Sequence, residues 1–395
     1  MLKLRHCQVM VILTASLYSS ESLYTSMEVT HNGVCPQMLF NVQPKTSIDE
    51  LFGRRAEYLT FLDAIEKKRN FFIITGPRRI GKTSFLYATL NELHKEYGVP
   101  YAVIDARAAT SLNSKYPQRI IAEGLHKAIL GKGFVGGIIS KVRGIKLSGI
   151  EFELHGKPPN ITEVLSTINE SNDLVIIAFD EAQYLRFSNE DLTRLFAWIL
   201  DTLHNIVLVF TGSQVGVLEN FLRIDDGNAP LFGRYEVRIS LPRFNPSESL
   251  EFLRRGFEEY GSSMDERELL PVVNTLDGVP GWLVHYGAHR IDGLTNEEAI
   301  EQVLKKAMIY VETEFKELDR LSPRYRKIMR TVARLSEGGS YARWEAIRDS
   351  LGGRVDEKSM RRYLSKLVDY GFLETIGYGK YRIPDPVLYR VFRRL

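Results

Sequence analysis

The chain has 395 residues, of which 44% are hydrophobic and 26% are charged, and its net charge is +3. Such a chain is long enough for two or three domains with well-buried cores, and its composition is that of a globular protein. Both cysteines, Cys7 and Cys35, lie in the first 37 residues, which excludes a disulfide framework or a cysteine metal site from the rest of the chain. The lack of cysteines beyond residue 37 fits a reducing compartment, so we expect a cytoplasmic protein. No segment approaches the roughly 18 apolar residues of a membrane-spanning helix, so we expect no membrane contact.

Residues 1–37 lack the pattern of a folded domain. Lys3, Arg5 and the apolar run 9–13 faintly resemble a signal peptide, but this run is short and no small-x-small cleavage site follows it. Sequence typical of a domain begins at Met38. We therefore expect residues 1–37 to be a disordered leader or the product of a mis-annotated upstream start.

A phosphate-binding loop is indicated after a predicted lead-in helix over 48–68 and a predicted strand over 71–75. It has the form G-x-x-x-x-G-K-[ST] and consists of Gly76, Pro77, Arg78, Arg79, Ile80, Gly81, Lys82 and Thr83, followed by Ser84. A strand, a Gly-rich turn and a helix N-terminus together form a nest of backbone N–H groups that holds polyphosphate. Lys82 is expected to reach the β- and γ-phosphates of ATP, and Thr83 to bind Mg²⁺.

An acidic pair follows the apolar run 174–179, which is typical of a buried strand in a parallel sheet. Asp180 at the end of such a strand is expected to hold Mg²⁺, and the adjacent Glu181 to polarise the attacking water. The alternative is a capping pair, because acidic residues also suit the start of a helix.

The remaining elements up to residue 245 alternate between strands and helices. Strands are predicted over 101–105, 206–210 and 235–241, and helices over 117–130, 161–169 and 192–203, with a hairpin-like insertion over 131–156. This alternation predicts an α/β fold with a parallel, doubly wound sheet over 38–245. One strand separates the phosphate-loop strand from the Asp180 strand, which is typical of the P-loop division that uses a catalytic glutamate.

A run of helices without strands predicts a helical lid over 246–320. Residues 321–395 then form a basic tail with 17 Lys and Arg against 8 Asp and Glu, a charge of +9, which leaves −6 on the earlier part of the chain. Such an asymmetry suggests that the tail meets a polyanion.

The tail has the pattern of three helices and a hairpin, which predicts a winged helix-turn-helix domain. Its third helix would enter the major groove of duplex DNA while other elements touch the backbone. The candidate DNA contacts on this helix and on the wing are Lys358, Arg361, Arg362, Lys366, Lys380 and Arg382. A solvated basic face, or a module that docks a protein, is the alternative.

These motifs together resemble the archaeal ATPase family, P-loop proteins near the AAA+ and STAND groups that are similar to archaeal origin-recognition initiators. The resemblance runs from about Met38 to the end of the chain. It rests on residues 76–84 and on Phe179-Asp180-Glu181-Ala182-Gln183, Phe210-Thr211-Gly212-Ser213, Ala229-Pro230-Leu231-Phe232-Gly233-Arg234 and Tyr381-Arg382-Ile383-Pro384-Asp385-Pro386. It implies an ASCE-type nucleotide domain, a helical lid and a winged helix.

The resemblance implies three further roles. Ser213 occupies the sensor position near the γ-phosphate, unless it caps the following helix. Arg234 lies where an arginine finger would stabilise the transition state, in cis or from a neighbouring subunit, unless it is an ordinary surface residue. Arg54 lies in the segment that related ATPases fold over the adenine, where a structural role is the alternative.

One departure concerns the lid. Origin initiators carry an arginine after a Gly-x-Pro that reports the nucleotide state, whereas this chain has Gly278-Val279-Pro280-Gly281-Trp282. We also expect His285 and His289 to pack within the lid rather than bind a metal, and Arg78 and Arg79 to be solvated or docked on the lid.

The sequence thus predicts a Mg²⁺-dependent ATPase or ATP-driven switch whose tail passes the nucleotide state to a partner, most simply DNA. Two alternatives remain open. In one, the protein is a nucleotide-gated DNA-binding regulator with little hydrolysis; in the other, it is a STAND-like signalling scaffold that self-associates or binds a protein partner.

Overall fold

The computed structural model describes residues 38–107, 161–170, 172–187, 191–336, 340–352 and 355–395. The expected leader, the predicted helix over 117–130 and the hairpin-like insertion over 131–156 lie outside these residues.

A five-stranded parallel sheet forms the centre of the first part of the chain, as the alternating pattern predicts. Its strands are β1 (Phe71–Thr75), β2 (Tyr101–Asp105), β3 (Val175–Asp180), β4 (Ile206–Gly212) and β5 (Val237–Ser240). They are arranged in the order β2-β3-β4-β1-β5. The apolar runs of β1, β3 and β4 are buried almost throughout, because helices cover both faces of a parallel sheet.

The register of the sheet brings its functional ends together. Thr75 of β1 pairs with Gly212 of β4, and Asp105 of β2 pairs with Asp180 of β3. Since all of these strands are parallel, their carboxyl ends meet at one edge, which is where ligands bind in open α/β sheets.

Of the helices predicted around the sheet, those that fall on described residues lie at the expected positions with one exception. The observed helices are α1 (Arg55–Glu66), α2 (Lys82–Tyr97), α3 (Ile161–Glu170), α4 (Leu192–Thr202) and α5 (Val215–Leu222), with 3₁₀ turns at Ile48–Glu50 and Ala182–Phe187. The expectation of a single lead-in helix over 48–68 is wrong, because the helical conformation is interrupted at Gly53. Its φ of +67° is a left-handed conformation that glycine adopts readily and that no helix interior contains.

Four helices follow the sheet in the region predicted to be a lid. They are α6 (Pro246–Glu259), α7 (Glu266–Leu276), α8 (Pro280–Ile291) and α9 (Asn296–Leu321). Capping boxes begin α6 and α9, with Asn245 paired to Glu248 and Thr295 paired to Glu298, so two helix starts are set by local hydrogen bonds. Helix α9 runs for 26 residues and ends only at the start of the tail.

The tail contains the predicted elements together with one more helix and one more strand. They are α10 (Arg324–Leu335), β6 (Ala342–Arg343), α11 (Trp344–Ser350), α12 (Glu357–Asp369), β7 (Glu374–Thr375), β8 (Lys380–Arg382) and α13 (Pro386–Arg394). The strands form a small antiparallel sheet in the order β6-β8-β7. Gly371 follows α12 with a φ of +73°, as expected of a residue that ends a helix.

The lid and the tail share one hydrophobic core, whereas the sheet has a core on each face. Phe315 of α9 packs edge-on against Phe372 and Phe392 of the tail, with ring centroids 4.8 and 5.3 Å apart. Trp282 of α8 donates a 3.0 Å hydrogen bond from Nε1 to the buried Asp385. The lid and the tail are therefore packed together rather than joined only by the chain. Within the described residues, none of the helices is both long and apolar enough to span a bilayer.

Candidate functional site

The phosphate loop lies between β1 and α2 and depends on two glycines. Gly76 and Gly81 have φ values of +148° and +95°, which L side chains rarely adopt. A Cβ on Gly76 would lie 2.7 Å from the carbonyl oxygen of Leu241, whereas one on Gly81 would meet nothing within 4 Å. The first glycine is thus required by close backbone packing, and the second lines open space at the start of α2.

The side chain of Lys82 folds back over this loop. Its Nζ donates to the carbonyl oxygens of Gly76 and Pro77 at 3.1 and 3.0 Å, and only 5% of the residue is exposed. Burial lowers the pKa of Lys82 to about 8, against the attraction of Glu181. The ammonium group is therefore held in the loop by carbonyls that a phosphate can replace as partners.

Three side chains from different elements meet beside Lys82. Thr83 Oγ1 donates to Asp180 Oδ2 at 2.9 Å, and Thr211 Oγ1 donates to the other oxygen, Oδ1. Burial raises the pKa of Asp180, although both hydrogen bonds oppose the shift. Thr211 was not among the predicted site residues. The sequence feature that could have revealed it is its place as a polar residue at the end of the apolar run of β4. This strand pairs with the strand that carries Asp180.

Glu181 is also oriented by its neighbours. Its φ is +52°, its N–H donates to Thr211 Oγ1 at 3.1 Å, and its Oε2 accepts from Ser213 Oγ at 2.8 Å and from Gln183 Nε2. Burial opposes ionisation, but Lys82, Arg78 and these hydrogen bonds outweigh it and lower the pKa of Glu181. The carboxylate is therefore ionised and faces the loop rather than capping a helix.

Ser213 does not cap α5. The N-cap of that helix is Gln214, which makes no side-chain cap bond, while the Ser213 hydroxyl is committed to Glu181. The capping alternative is thus not supported, and the sensor role of Ser213 stays a prediction.

A cavity of about 270 Å³ opens beside the loop. Its walls come from the loop, the lid and the segment 39–54, and include Val42, Lys45, Phe52, Phe244, Val284 and His285. The N–H of Lys45 donates to Ser84 Oγ at 3.1 Å, which ties the segment to the start of α2. Apolar walls with a few polar groups suit a heterocyclic base next to the phosphates. No local sequence signal reveals this role of Lys45, because Ser84 lies 39 residues further along the chain.

Arg54 lines this cavity, but its guanidinium contacts protein groups. Nη2 donates to the carbonyl oxygens of Pro242 and Ile80 at 2.8 and 3.4 Å, and the group lies 5.0 Å from the Phe244 ring centroid. These contacts join the segment before α1 to the loop and to the residues after β5. They agree with the structural alternative, and contact of Arg54 with a base stays a prediction.

Arg78 and Arg79 dock on the lid, one of the two alternatives expected for them. Arg78 Nη2 lies 2.6 Å from Glu314 Oε2 of α9. The Arg79 guanidinium stacks 4.2 Å from the Trp282 ring centroid, and its Nη1 lies 3.4 Å from His285 Nε2. The tip of the phosphate loop is thus held by α8 and α9 together.

His285 lies at the cavity wall rather than only within the lid. Burial, together with Lys306 and Arg79, lowers the pKa of His285 to about 4, so the imidazole is neutral near pH 7. Among the described residues, no group of three or more His, Cys, Asp or Glu is arranged to hold a metal ion.

Arg234 lies outside the cluster around Lys82. Its Nε donates to Asp201 Oδ1 at 3.0 Å, and its Nη1 to the carbonyl oxygen of Pro230. These contacts hold it beside the end of α4. Among the described residues, these contacts of Arg234 do not include the cluster around Lys82. A role of Arg234 as an arginine finger therefore stays a prediction.

The six candidate DNA contacts lie on α12 and β8, as expected. Arg361 and Arg382 are partly neutralised by ion pairs with Glu357 and Glu374, whereas Lys358 and Arg362 are exposed and Lys366 is half-buried near the Tyr370 ring. Lys380 lies 4.6 Å from the ring centroid of Tyr341. Between β7 and β8, Tyr378 is 98% exposed; the exposed aromatic side chain was not among the predicted site residues.

The site fits a nucleotide with Mg²⁺. Thr83 and Asp180 supply the hydroxyl and carboxylate oxygens that Mg²⁺ accepts, and a site with so few protein ligands is typical of Mg²⁺ that is also held by substrate phosphates. Open space at Gly81 and the exchangeable partners of Lys82 suit the phosphates themselves.

Comparisons with known proteins agree with this geometry. An ATPase domain found predominantly in Archaea matches residues 52–286. A Walker-type ATPase of Pyrococcus abyssi is 31% identical, with a TM-score of 0.75, and the alignment covers 90% of this chain and 100% of that one. Among proteins with curated descriptions, no sequence matches.

Two further solved structures are more distantly similar. The origin-recognition protein ORC1 of Aeropyrum pernix, solved in complex with DNA, is 16% identical with a TM-score of 0.45, over 91% of this chain and 96% of that one. The RuvB Holliday junction branch migration motor of Thermotoga maritima is 17% identical with a TM-score of 0.42, over 87% and 96%. The family match and the 31% identity over the whole Pyrococcus protein decide the assignment: this chain belongs to the ATPase family found predominantly in Archaea.

Proposed function

We propose that this protein binds and hydrolyses ATP with Mg²⁺ and couples its nucleotide state to the tail. The observation that carries the proposal is the cluster formed by Lys82, Thr83 and Asp180 with Glu181 and Ser213, at the carboxyl edge of the sheet. These residues come from three separate strands or loops, so their convergence is not a by-product of local sequence.

Each residue has a defined role in binding. The backbone N–H groups of residues 76–84 and the ammonium of Lys82 hold the β- and γ-phosphates. Thr83 and Asp180 hold Mg²⁺, which neutralises charge on these phosphates when bound. Thr211 keeps the carboxylate of Asp180 oriented toward Thr83.

Glu181 acts on the attacking water. An ionised carboxylate beside the loop can accept a proton from, or orient, a water molecule in line with the γ-phosphate. Ser213 and Gln183 both donate to the same oxygen of Glu181, which leaves the other oxygen free of these two contacts. We assign Ser213 the role of a sensor whose hydrogen bond changes when Glu181 engages the water.

Arg234 is proposed to act as a finger for a neighbouring subunit. Its side chain is held at the surface beside Asp201, where a second copy of the chain can approach. In such an assembly the guanidinium stabilises the charge of the transition state, an effect of about 10³–10⁵ in rate in related P-loop enzymes.

We assign the tail to the winged-helix class and propose that it binds duplex DNA. Support comes from its helices α10, α11 and α12 with the three-stranded antiparallel sheet, its excess of positive charge, and the exposed cations of α12. The exposed Tyr378 between β7 and β8 adds an aromatic contact at the tip of the proposed wing.

The path from the nucleotide to this tail is short. The carbonyl oxygen of Ser213 would lie 3.4 Å from a Cβ on Gly371, which follows α12. Glu317 of α9 accepts from Arg186 at 3.2 Å and from the Tyr370 hydroxyl at 2.6 Å. A change at the sensor end of β4 therefore acts directly on the end of the proposed recognition helix.

ATP hydrolysis by the full chain with Mg²⁺, with and without duplex DNA, tests the proposal beside Lys82→Ala. We expect turnover that DNA stimulates and that the substitution abolishes. Absence of turnover above background in both conditions would overturn the enzyme assignment, while turnover indifferent to DNA would overturn the assignment of DNA as the partner.

A further inference from the structure

Arg78 occupies an unusual place in the phosphate loop. Its guanidinium is enclosed by the lid, with Glu314 Oε2 2.6 Å from Nη2 and the Tyr310 ring centroid 5.8 Å from Cζ. Its positive charge also helps to lower the pKa of Glu181, against the effect of burial. Arg78 thus forms an ion pair with the lid and also interacts electrostatically with the carboxylate that we assign to the attacking water.

Two of the three nitrogens of this guanidinium lack a hydrogen-bond partner in the described part of the chain, although the Tyr184 side chain also interacts with the group. Nε and Nη2 have no accessible surface, and among the described residues neither makes a hydrogen bond of good geometry. The ion pair with Glu314 is close but lacks that geometry. A buried charged donor without a directed acceptor is costly, so an acceptor supplied by a bound ligand would stabilise it.

The neighbouring residue makes different contacts with the lid. The carbonyl oxygen of Arg79 accepts from the N–H of Gly281 at 2.9 Å, and its guanidinium stacks on Trp282. These contacts fix the tip of the loop against α8. Since Gly281 and Trp282 follow Pro280 where an origin-type lid carries its arginine, this lid itself supplies no cation there.

We propose that Arg78 is a ligand of the γ-phosphate of ATP and exchanges between Glu314 and that phosphate as the nucleotide state changes. This inference rests on the proposed function, because it assumes that ATP binds at Lys82. It assigns to the phosphate loop the sensing role that an arginine of the lid would otherwise have.

The exchange has a physical basis in charge. A phosphate oxygen offers Arg78 a charge-assisted hydrogen bond that can be bidentate, and the departure of Arg78 leaves Glu314 without its cation. Burial raises the pKa of Glu314, while Arg78 opposes the shift, so an unpaired Glu314 favours movement of α9 or uptake of a proton. Helix α9 also carries Glu317, which accepts a hydrogen bond from the Tyr370 hydroxyl. Release of Arg78 from Glu314 therefore loosens the contact between Glu317 and Tyr370 of the tail.

The test compares the affinities of the full chain for a slowly hydrolysed ATP analogue and for ADP, both with Mg²⁺. ADP lacks the γ-phosphate and serves as an internal control for folding and for the base and β-phosphate contacts. We expect Arg78→Ala to weaken binding of the ATP analogue about 10- to 100-fold, the range for a lost charged hydrogen bond, with ADP affinity changed by less than about twofold.

Glu314→Gln provides a second, independent measurement that keeps Arg78 in place. Since it removes the competing carboxylate, we expect tighter binding of the ATP analogue relative to ADP, by about 3- to 10-fold. Glu312→Gln is the matched control, because Glu312 lies on the same helix but pairs with Arg326; it should alter neither affinity.

The outcomes separate the inference from the proposed function. If the wild type binds both nucleotides but Arg78→Ala weakens them equally, or weakens neither, Arg78 is a structural residue and the inference is overturned while ATP binding stands. If Glu314→Gln leaves the ratio of affinities unchanged, exchange with Glu314 is overturned. If the wild type binds neither nucleotide, the proposed function and the inference fail together.

Discussion

The hydroxyl of Thr211 lies between the two acidic residues of the site, because it donates to Asp180 Oδ1 and accepts from the N–H of Glu181. A single buried side chain at the end of β4 thus orients both the residue assigned to Mg²⁺ and the residue assigned to water. Its importance follows from the pairing of β3 with β4.

Thr211→Val is therefore expected to damage both functions. The substitution conserves shape but leaves Asp180 with one hydrogen bond fewer and the N–H of Glu181 without its acceptor, at a cost of about 1–3 kcal/mol in the free energy of unfolding. Denaturant unfolding and ATP turnover would measure the two effects. Thr89→Val is a suitable control, since the buried Thr89 hydroxyl has no hydrogen-bond partner among the residues that the structure describes; equal stability losses in the two variants would contradict the role of Thr211.

Glu181→Gln separates binding from turnover. Because the amide is nearly isosteric but cannot take up a proton, we expect turnover to fall by about 10²–10⁴-fold while ATP affinity changes little. Single-turnover hydrolysis and equilibrium binding measure the two quantities. Retention of most of the turnover would show that Glu181 does not act on the water.

The pH dependence of ATP affinity follows from Lys82. Burial lowers its pKa to about 8 in the free protein, and bound phosphate favours the protonated form. Below pH 8 the Lys82 amine already carries its proton, whereas above pH 8 it must take up a proton when ATP binds. The affinity for ATP is therefore expected to fall as pH rises from about 8 to about 9.5. Titration calorimetry in buffers of different ionisation enthalpy would detect the proton uptake.

Lys82→Arg is the control for this pH dependence, because a guanidinium stays protonated throughout the range. If this variant still binds ATP, its affinity should be flat between pH 8 and 9.5. An identical slope in both proteins would assign the titration to another group.

Trp282→Phe tests the link between the lid and the tail. The substitution removes the donor of the 3.0 Å bond to Asp385 and leaves a buried carboxylate with one partner fewer, which is expected to cost about 1–3 kcal/mol in the free energy of unfolding. Thermal unfolding measures this loss. Since Trp282 also stacks on Arg79, we expect DNA stimulation of turnover to decline as well, and unchanged coupling would show that another contact carries it.

Neutralising three exposed cations of α12 tests the proposed DNA interface. The variant combines Lys358→Gln, Arg361→Gln and Arg362→Gln. If these side chains contact phosphates, affinity for duplex DNA should fall and its dependence on salt concentration should become shallower by about one unit for each lost contact. Binding measured at several salt concentrations gives the slope.

The matched control neutralises three exposed cations on or beside the helices that surround the five-stranded sheet. It changes the net charge by the same amount as the α12 variant. It combines Lys67→Gln, Lys95→Gln and Arg194→Gln, whose side chains are 62%, 69% and 81% exposed. Equal loss of DNA affinity in the two variants would point to overall charge rather than to α12.

The sequence by itself determined the parallel sheet, the phosphate loop and the pair formed by Asp180 and Glu181. The reason is that these features are local: a buried strand is an apolar run, and a phosphate loop needs its glycines, lysine and threonine at fixed spacing. The interruption of the helix at Gly53 was not predicted because the helical spacing of apolar residues continues across it. The final helix α13 was not predicted because its segment is short.

Only the tertiary structure decided which distant groups meet. Thr211 reaches Asp180 because β3 pairs with β4, Lys45 closes the cavity from a segment before α1, and Glu314 holds Arg78 across more than 200 residues of chain. Packing of the lid and the tail into one core sets these contacts. A local pattern can specify which residues bind a phosphate, whereas the partners that restrain them depend on how separate elements pack in three dimensions.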